Sequence, residues 1–189
     1  RLCGMTRTSP PHSSTLYAQG IKKVKKGPIK IKEFQPSDAE ACFRIRSEAF
    51  IKLFYDEIGA DGVAAGINAY LPKKYIQVAE SMPIFIADDG QEQIGFIASR
   101  FIQNATIEIL FLYIRLDYLR KGIGGLLVKY LENWIAKHHP EIKQIIVDTA
   151  VPKYNQIFYE KMGYSEIGES VCHYPDGSVS AVRLMKVIG

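Results

Sequence analysis

Two apolar runs, residues 106–114 and 143–148, lie on either side of residues 123–138, where Leu127, Tyr130, Leu131, Trp134 and Ile135 recur at helical spacing. Strands separated by a whole helix cannot close as a hairpin. They lie parallel, joined by a right-handed crossover. The other predicted strands (29–34, 83–87, 93–101 and two around Tyr174-Pro175-Asp176-Gly177) are linked to their neighbours by helices or short turns, and the turn-linked ones must run antiparallel. Before residue 83 come two helical stretches. The first opens at Pro36 and carries Cys42, Ile45, Ala49 and Leu53; the second, 61–80, carries Val63, Ile67, Leu71, Tyr75 and Val78 and is interrupted near Pro72. A helix over 153–162 ends at Gly163-Tyr164. The predicted fold class is α/β: a mixed, mostly antiparallel twisted sheet with a central parallel pair, flanked by helices.

Between the first parallel strand and its helix the chain reads Tyr118-Leu119-Arg120-Lys121-Gly122-Ile123-Gly124-Gly125. The first N–H groups of a helix have no internal partners, and the helix dipole adds partial positive charge there. Gly122, Gly124 and Gly125 leave those groups uncovered, and Arg120 and Lys121 bring charge beside them. The chemistry suits a phosphate or pyrophosphate, although a tight turn that binds nothing has the same local pattern. A P-loop is excluded, because Gly125 is followed by Leu126-Leu127 where Lys and Ser or Thr are needed. A dinucleotide fingerprint fits poorly, with Leu127 at its third small position, although Asp148 lies near the end of the next strand.

Charge divides the chain. Residues 1–28 hold six basic residues and no acid, which exceeds the net +4 of the whole 189-residue chain and leaves residues 29–189 at −2. The basic balance therefore belongs to the tail and gives no reason to expect nucleic acid on the body. Two domains of description follow: a basic, disordered N-terminal extension, 1–28, and a single folded domain, 29–189. The tail faintly resembles an organelle transit segment; a solvated arm is the other reading, with Met5 a candidate start. No apolar run reaches membrane-spanning length. Cys3, Cys42 and Cys172 lack metal spacing and fit reduced thiols, so a cytoplasmic location, no membrane and no metal are expected.

The element order, together with Ile107-Glu108-Ile109-Leu110-Phe111-Leu112-Tyr113-Ile114, Tyr118 to Gly124, and Asn155-Gln156-Ile157-Phe158-Tyr159-Glu160-Lys161-Met162-Gly163-Tyr164, resembles the GNAT acetyltransferase superfamily over residues 29–188. The resemblance implies acetyl transfer from acetyl-CoA to an amine, either a small molecule or a lysine-bearing peptide, within a ternary complex; many relatives are homodimers. It places the diphosphate of the co-substrate on Leu119, Arg120, Lys121, Gly122, Ile123, Gly124 and Gly125. It places the pantetheine arm and the acetyl carbonyl on a bulged strand end, Leu112, Tyr113 and Ile114. Leu119 stands where the family has Gln or Arg, with Arg120 one place later. Pro152 stands where many members have Asn, and Asn155 follows three residues on as the remaining candidate contact.

Glu108 matches the family's glutamate base, and a carboxylate drawn into an apolar strand gains basicity. In an alternating strand it can equally face solvent or hold a salt bridge. Tyr159 matches the tyrosine that protonates the departing sulfur; with Phe158 adjacent, one of the two faces the core. Phe50, Phe54, Tyr55, Tyr70 and Tyr75 flank the early helices, as core or as an acceptor-site wall. A Cys172–His173 pair is excluded, since neighbours in a strand point to opposite faces. Other readings are transfer of a longer acyl group, a non-catalytic acyl-CoA-binding regulatory module, and an interaction domain acting through its tail.

Overall fold

The structure is a computed structural model that describes residues 27–150, 153–174 and 177–189. Along the chain come β1 (Lys30–Glu33), α1 (Ala39–Asn68), α2 (Pro72–Ala79), β2 (Ile84–Asp88), β3 (Gln93–Ile102), β4 (Thr106–Ile114), α3 (Ile123–His138), β5 (Gln144–Ala150), α4 (Lys153–Lys161), β6 (Ser165–Tyr174) and β7 (Gly177–Val187). The expected succession holds, and β4 and α3 occupy the expected ranges. The basic tail through residue 26 lies outside the described residues. The expected interruption near Pro72 separates α1 from α2, whereas the boundary expected before residue 61 is only a break at Gly59 (φ 68°, ψ −178°) within α1, which runs on to Asn68.

The strands form one sheet in the order β1-β2-β3-β4-β5-β7-β6. Only β4 and β5 pair in parallel, as the intervening helix requires. Each strand of the central sheet alternates its side chains between two apolar layers. On one face Ile107, Ile109, Ile145, Val147 and Leu184 pack with Ile123, Leu127, Leu131 and Ile135 of α3 and Tyr159 of α4. On the other, Ile84, Ile86, Phe96 and Ala98 pack with Ala39, Cys42 and Ile45 of α1 and Tyr75 of α2. Phe50 and Phe54 extend that second layer towards Ala150 and Val179.

The sheet is irregular at its centre. Across β3 and β4, Ala98 pairs with Phe111 but Ser99 pairs with Ile109, so Leu110 is an extra residue in β4. The insertion shifts side-chain parity. Ile107 and Ile109 before it, and Leu112 and Ile114 after it, all face α3, whereas Glu108, Phe111 and Tyr113 face α1 and α2. The parallel ladder runs from Thr106–Gln144 to Ile109–Val147 and stops there. Beyond that rung β4 stays with β3 and β5 stays with β7, so the two central strands part.

Candidate active site

The parting of β4 and β5 leaves one edge of Leu110–Ile114 and one edge of Asp148–Ala150 without a strand partner. Backbone N–H and C=O groups at such an edge can pair with an extended ligand as another strand would. The bulge lies at Leu110, two residues before the expected Leu112–Ile114. Those three residues form the splayed edge that the bulge creates.

At the end of that edge the chain turns through a 3₁₀ segment, Leu116–Tyr118, into α3. Arg120 adopts φ 60°, and Gly122, the residue before the first helical position, adopts φ 82°. Left-handed residues set against helical ones point successive N–H groups into one concavity, the geometry of an anion nest. No side chain caps the helix, so the N–H groups of Ile123, Gly124 and Gly125 are not satisfied from within the turn. Gly124 is packed from two sides: a Cβ there would lie 3.3 Å from the Phe158 ring and 3.8 Å from Leu112. The start of α3, the open edge of β4 and α4 therefore meet at one point. Of the two basic residues of the turn, Lys121 folds back, donating to the Asp117 carbonyl at 2.6 Å and lying over the Tyr118 ring. Arg120 and Leu119 are exposed.

Glu108 is buried and faces the α1 side of the sheet. Arg100, opposite it on β3, donates from Nε and Nη2 to Oε2, each at 2.7 Å. The salt bridge open to it in sequence is thus formed. Among the described residues Oε1 has no protein partner. A second ion pair stands on the same face: Arg183 holds Asp148 through both carboxylate oxygens at 2.7 Å, and Ser170 donates to Asp148 at 2.9 Å. Burial pushes the Asp148 carboxyl up, but these bonds and the arginine charges outweigh it and hold it below the usual carboxylate range.

Of the adjacent aromatics on α4, Tyr159 faces the core and Phe158 is half-buried against Gly124. Tyr159 stacks edge-on with Tyr164 at 5.4 Å. Burial raises its phenol above the ordinary value, and the nearby Tyr113 phenol adds to the effect. Tyr113 itself is pushed up by burial and pulled back by Arg46. Asn155 sits half-buried in the first turn of α4, while Pro152 lies outside the described residues. Cys172 is half-buried and His173 exposed, in keeping with opposite faces. Among the described residues no group of His, Cys, Asp and Glu is placed to hold a metal ion, and no helix is long and apolar enough to cross a membrane.

Some of the site carried no signal in sequence. Leu110 looks like any other apolar strand residue. Arg46, buried in α1, is in sequence one more charged residue of a helix rich in them. Asp148 drew attention only as a poor ribose ligand. The helical positions of Arg46, Ala49 and Phe50 could have flagged an arginine on the apolar stripe.

Residues 80–166 match the family model of the acetyltransferase (GNAT) domain. The matched stretch, just under half of the chain, is similar to a GNAT acetyltransferase domain. No curated protein sequence matches it. Solved N-acetyltransferase structures share the fold at low identity. The PaiA N-acetyltransferase from Thermoplasma acidophilum, solved in complex with coenzyme A, superposes with a TM-score of 0.72 at 18% identity, covering 85% of this chain and 99% of that one. The ribosomal-protein-S18-alanine N-acetyltransferase from Escherichia coli gives 0.64 at 17% identity, over 86% and 95%. An N-acetyltransferase from Staphylococcus aureus Mu50 gives 0.68 at 15%, over 86% and 100%.

Proposed function

We propose that this protein transfers the acetyl group of acetyl-CoA to an amine by direct attack in a ternary complex. The observation that carries the reading is the convergence at Gly124: an uncapped helix start that suits a diphosphate lies against an open strand edge that suits a pantetheine arm. The close contact of Gly124 with Phe158 and Leu112 supports it, since a Cβ would crowd the junction between the two.

Acetyl-CoA supplies the acyl carbon and a thiolate leaving group. The N–H groups of Ile123, Gly124 and Gly125, with those around Lys121 and Gly122, hold the diphosphate. Unpaired backbone groups of Leu112, Tyr113 and Ile114 align the arm and donate to the carbonyl oxygen as it gains charge. Glu108 accepts the ammonium proton at Oε1, directly or through water, while Arg100 fixes the other oxygen. The amine nitrogen then bonds to the acetyl carbon and the C–S bond breaks; the second proton lost from nitrogen passes through solvent to the departing thiolate, which leaves as the CoA thiol. The Tyr159 phenol lies above its ordinary value and therefore well above a thiol. It serves the sulfur as a hydrogen-bond donor that stabilises the thiolate. Asn155, at the start of α4, is positioned for a further co-substrate contact.

The decisive experiment follows free-thiol release from acetyl-CoA across polyamines, aminoglycosides, amino acids and lysine peptides. Amine-dependent release, lost in Glu108→Gln and reduced in Tyr159→Phe, is expected. The grip of Arg100 on Glu108 is the observation that favours the second reading, a non-catalytic acyl-CoA-binding regulatory module. Tight CoA binding with no release for any amine would establish that module and overturn transfer.

A further inference from the structure

Arg46 of α1 is only 3% exposed, yet among the described residues no carboxylate faces it. Nη1 donates to the Gly66 carbonyl at 3.0 Å, and the guanidinium lies over the rings of Phe50, Tyr70 and Phe111 at 4.8, 5.0 and 5.4 Å. Nε is buried and, among the described residues, has no hydrogen-bond partner. An arginine cannot shed its charge on burial, and rings offset only part of the lost hydration. Tyr75, fully buried on α2, also has a hydroxyl without a partner. Both side chains lie against the Tyr70 ring, Tyr75 at 6.0 Å between centroids and the Arg46 guanidinium at 5.0 Å. Such pairs of unmet buried donors call for an acceptor that the chain itself does not provide.

The place of Arg46 in the site follows from the splayed end of β4: the guanidinium lies 5.4 Å from the Phe111 ring, which lies 6.0 Å from the Tyr113 ring. Arg46 thus stands beside the open edge proposed to align the pantetheine arm. It lies on the sheet face shared by Glu108, Phe111 and Tyr113. The surrounding rings of Tyr70, Phe111 and Tyr113 are half-buried, leaving the guanidinium one side-chain layer below the surface.

We propose that Arg46, with the Tyr75 hydroxyl, receives a carboxylate of the acceptor, so that the preferred substrate is an amine bearing a carboxylate, such as an amino acid. The proposal rests on the acetyl-transfer reading. Glu108 would meet the ammonium end and Arg46 the carboxylate end of one zwitterion. Arg46 and Tyr75 are specificity-determining residues here, and neither takes part in the chemical step.

The test compares acceptors that differ only in the carboxylate: lysine against cadaverine, and phenylalanine against phenethylamine. Wild-type protein should favour the carboxylated member of a pair by about tenfold or more in kcat/KM, the scale of a charge-assisted hydrogen bond. Arg46→Gln should erase that preference through the acceptor KM, with the KM for acetyl-CoA unchanged. Tyr75→Phe removes a buried unpaired hydroxyl, so it should fold at least as well as wild type and still reduce the preference. Equal or better turnover of the decarboxylated amines by wild-type protein would overturn the proposal, as would a preference unmoved in both variants. If no amine is acetylated, the transfer reading fails on its own. Calorimetry with N-acetyl-lysine and N-acetyl-cadaverine then decides Arg46: carboxylate-dependent binding lost in Arg46→Gln or Arg46→Lys sustains the site, and equal binding of both ligands overturns it.

Discussion

Arg100 binds a single oxygen of Glu108 through two of its nitrogens and leaves the second oxygen without a protein partner. The arrangement anchors one carboxylate oxygen and keeps the other for a substrate proton. Arg100 is 48% exposed, so the pair is worth little to stability by itself and its importance is orientational.

Glu108→Gln keeps the shape and removes the base. The expected outcome is a fall in kcat of about 10²-fold or more, the usual contribution of a positioned base, with CoA affinity preserved. Steady-state kinetics beside a CoA titration checks it. A variant with undiminished kcat would remove Glu108 from the chemistry.

Deleting Leu110 tests the bulge. Because Ile109 and Phe111 already face opposite sides, the deletion restores plain alternation without turning any core residue outwards. The shortened β4 should pair further along β5 and close the open edge. CoA affinity is expected to fall at least tenfold, about 1.4 kcal/mol, while the thermal midpoint stays near that of wild type. Retained affinity would show that the open edge is not where the arm binds.

Gly122→Ala addresses the turn through its backbone alone, since a Cβ at this position meets nothing within 4 Å. Holding φ at 82° with a side chain costs about 1–2 kcal/mol. That should lower the melting temperature by roughly 2–8 °C for a chain of this size. CoA binding should weaken as well, because the same dihedral aims the N–H groups; calorimetry on the two proteins separates the effects.

Asp148 predicts an acid-side dependence of stability. Its folded value is depressed, so the stabilisation is fully present above the unfolded value, near 3.8, and is lost as pH falls through the lower folded one. Wild-type stability should therefore drop on acidification below about pH 4, and Asp148→Asn should show a shallower drop in that window. Urea unfolding at several pH values measures it. Parallel curves for the two proteins would mean that Arg183 and Ser170 do not favour the ionised form.

Much of the site was legible because it is written in local chemistry. The glycine and basic residues of 119–125 announce a helix start with exposed amides, and the structure forms α3 at Ile123 as spacing requires. Even there, Lys121 turned away from the amides to cover Tyr118, a choice set by the Asp117 carbonyl and the ring rather than by the turn. Tyr159 and Phe158 could be narrowed to one inward ring, but which one was decided by how α4 packs onto the sheet. A further buried contact, Tyr118 donating to Asp89, joins the turn to the β2–β3 loop and reads in sequence only as an ordinary Asp-Asp-Gly turn.

From its sequence alone this protein had its strand and helix succession, its parallel central pair and the place of its glycine turn, because hydrophobic period, capping and crossover length are properties of neighbouring residues. Only the tertiary structure decided where the ladder ends after Ile109 and Val147, that Leu110 bulges, that Arg100 claims one oxygen of Glu108, and that Arg46 lies buried without a counter-ion. Those outcomes depend on pairing and packing between segments far apart in the chain. No residue's own chemistry carries that information, which exists only once the layers have closed on one another.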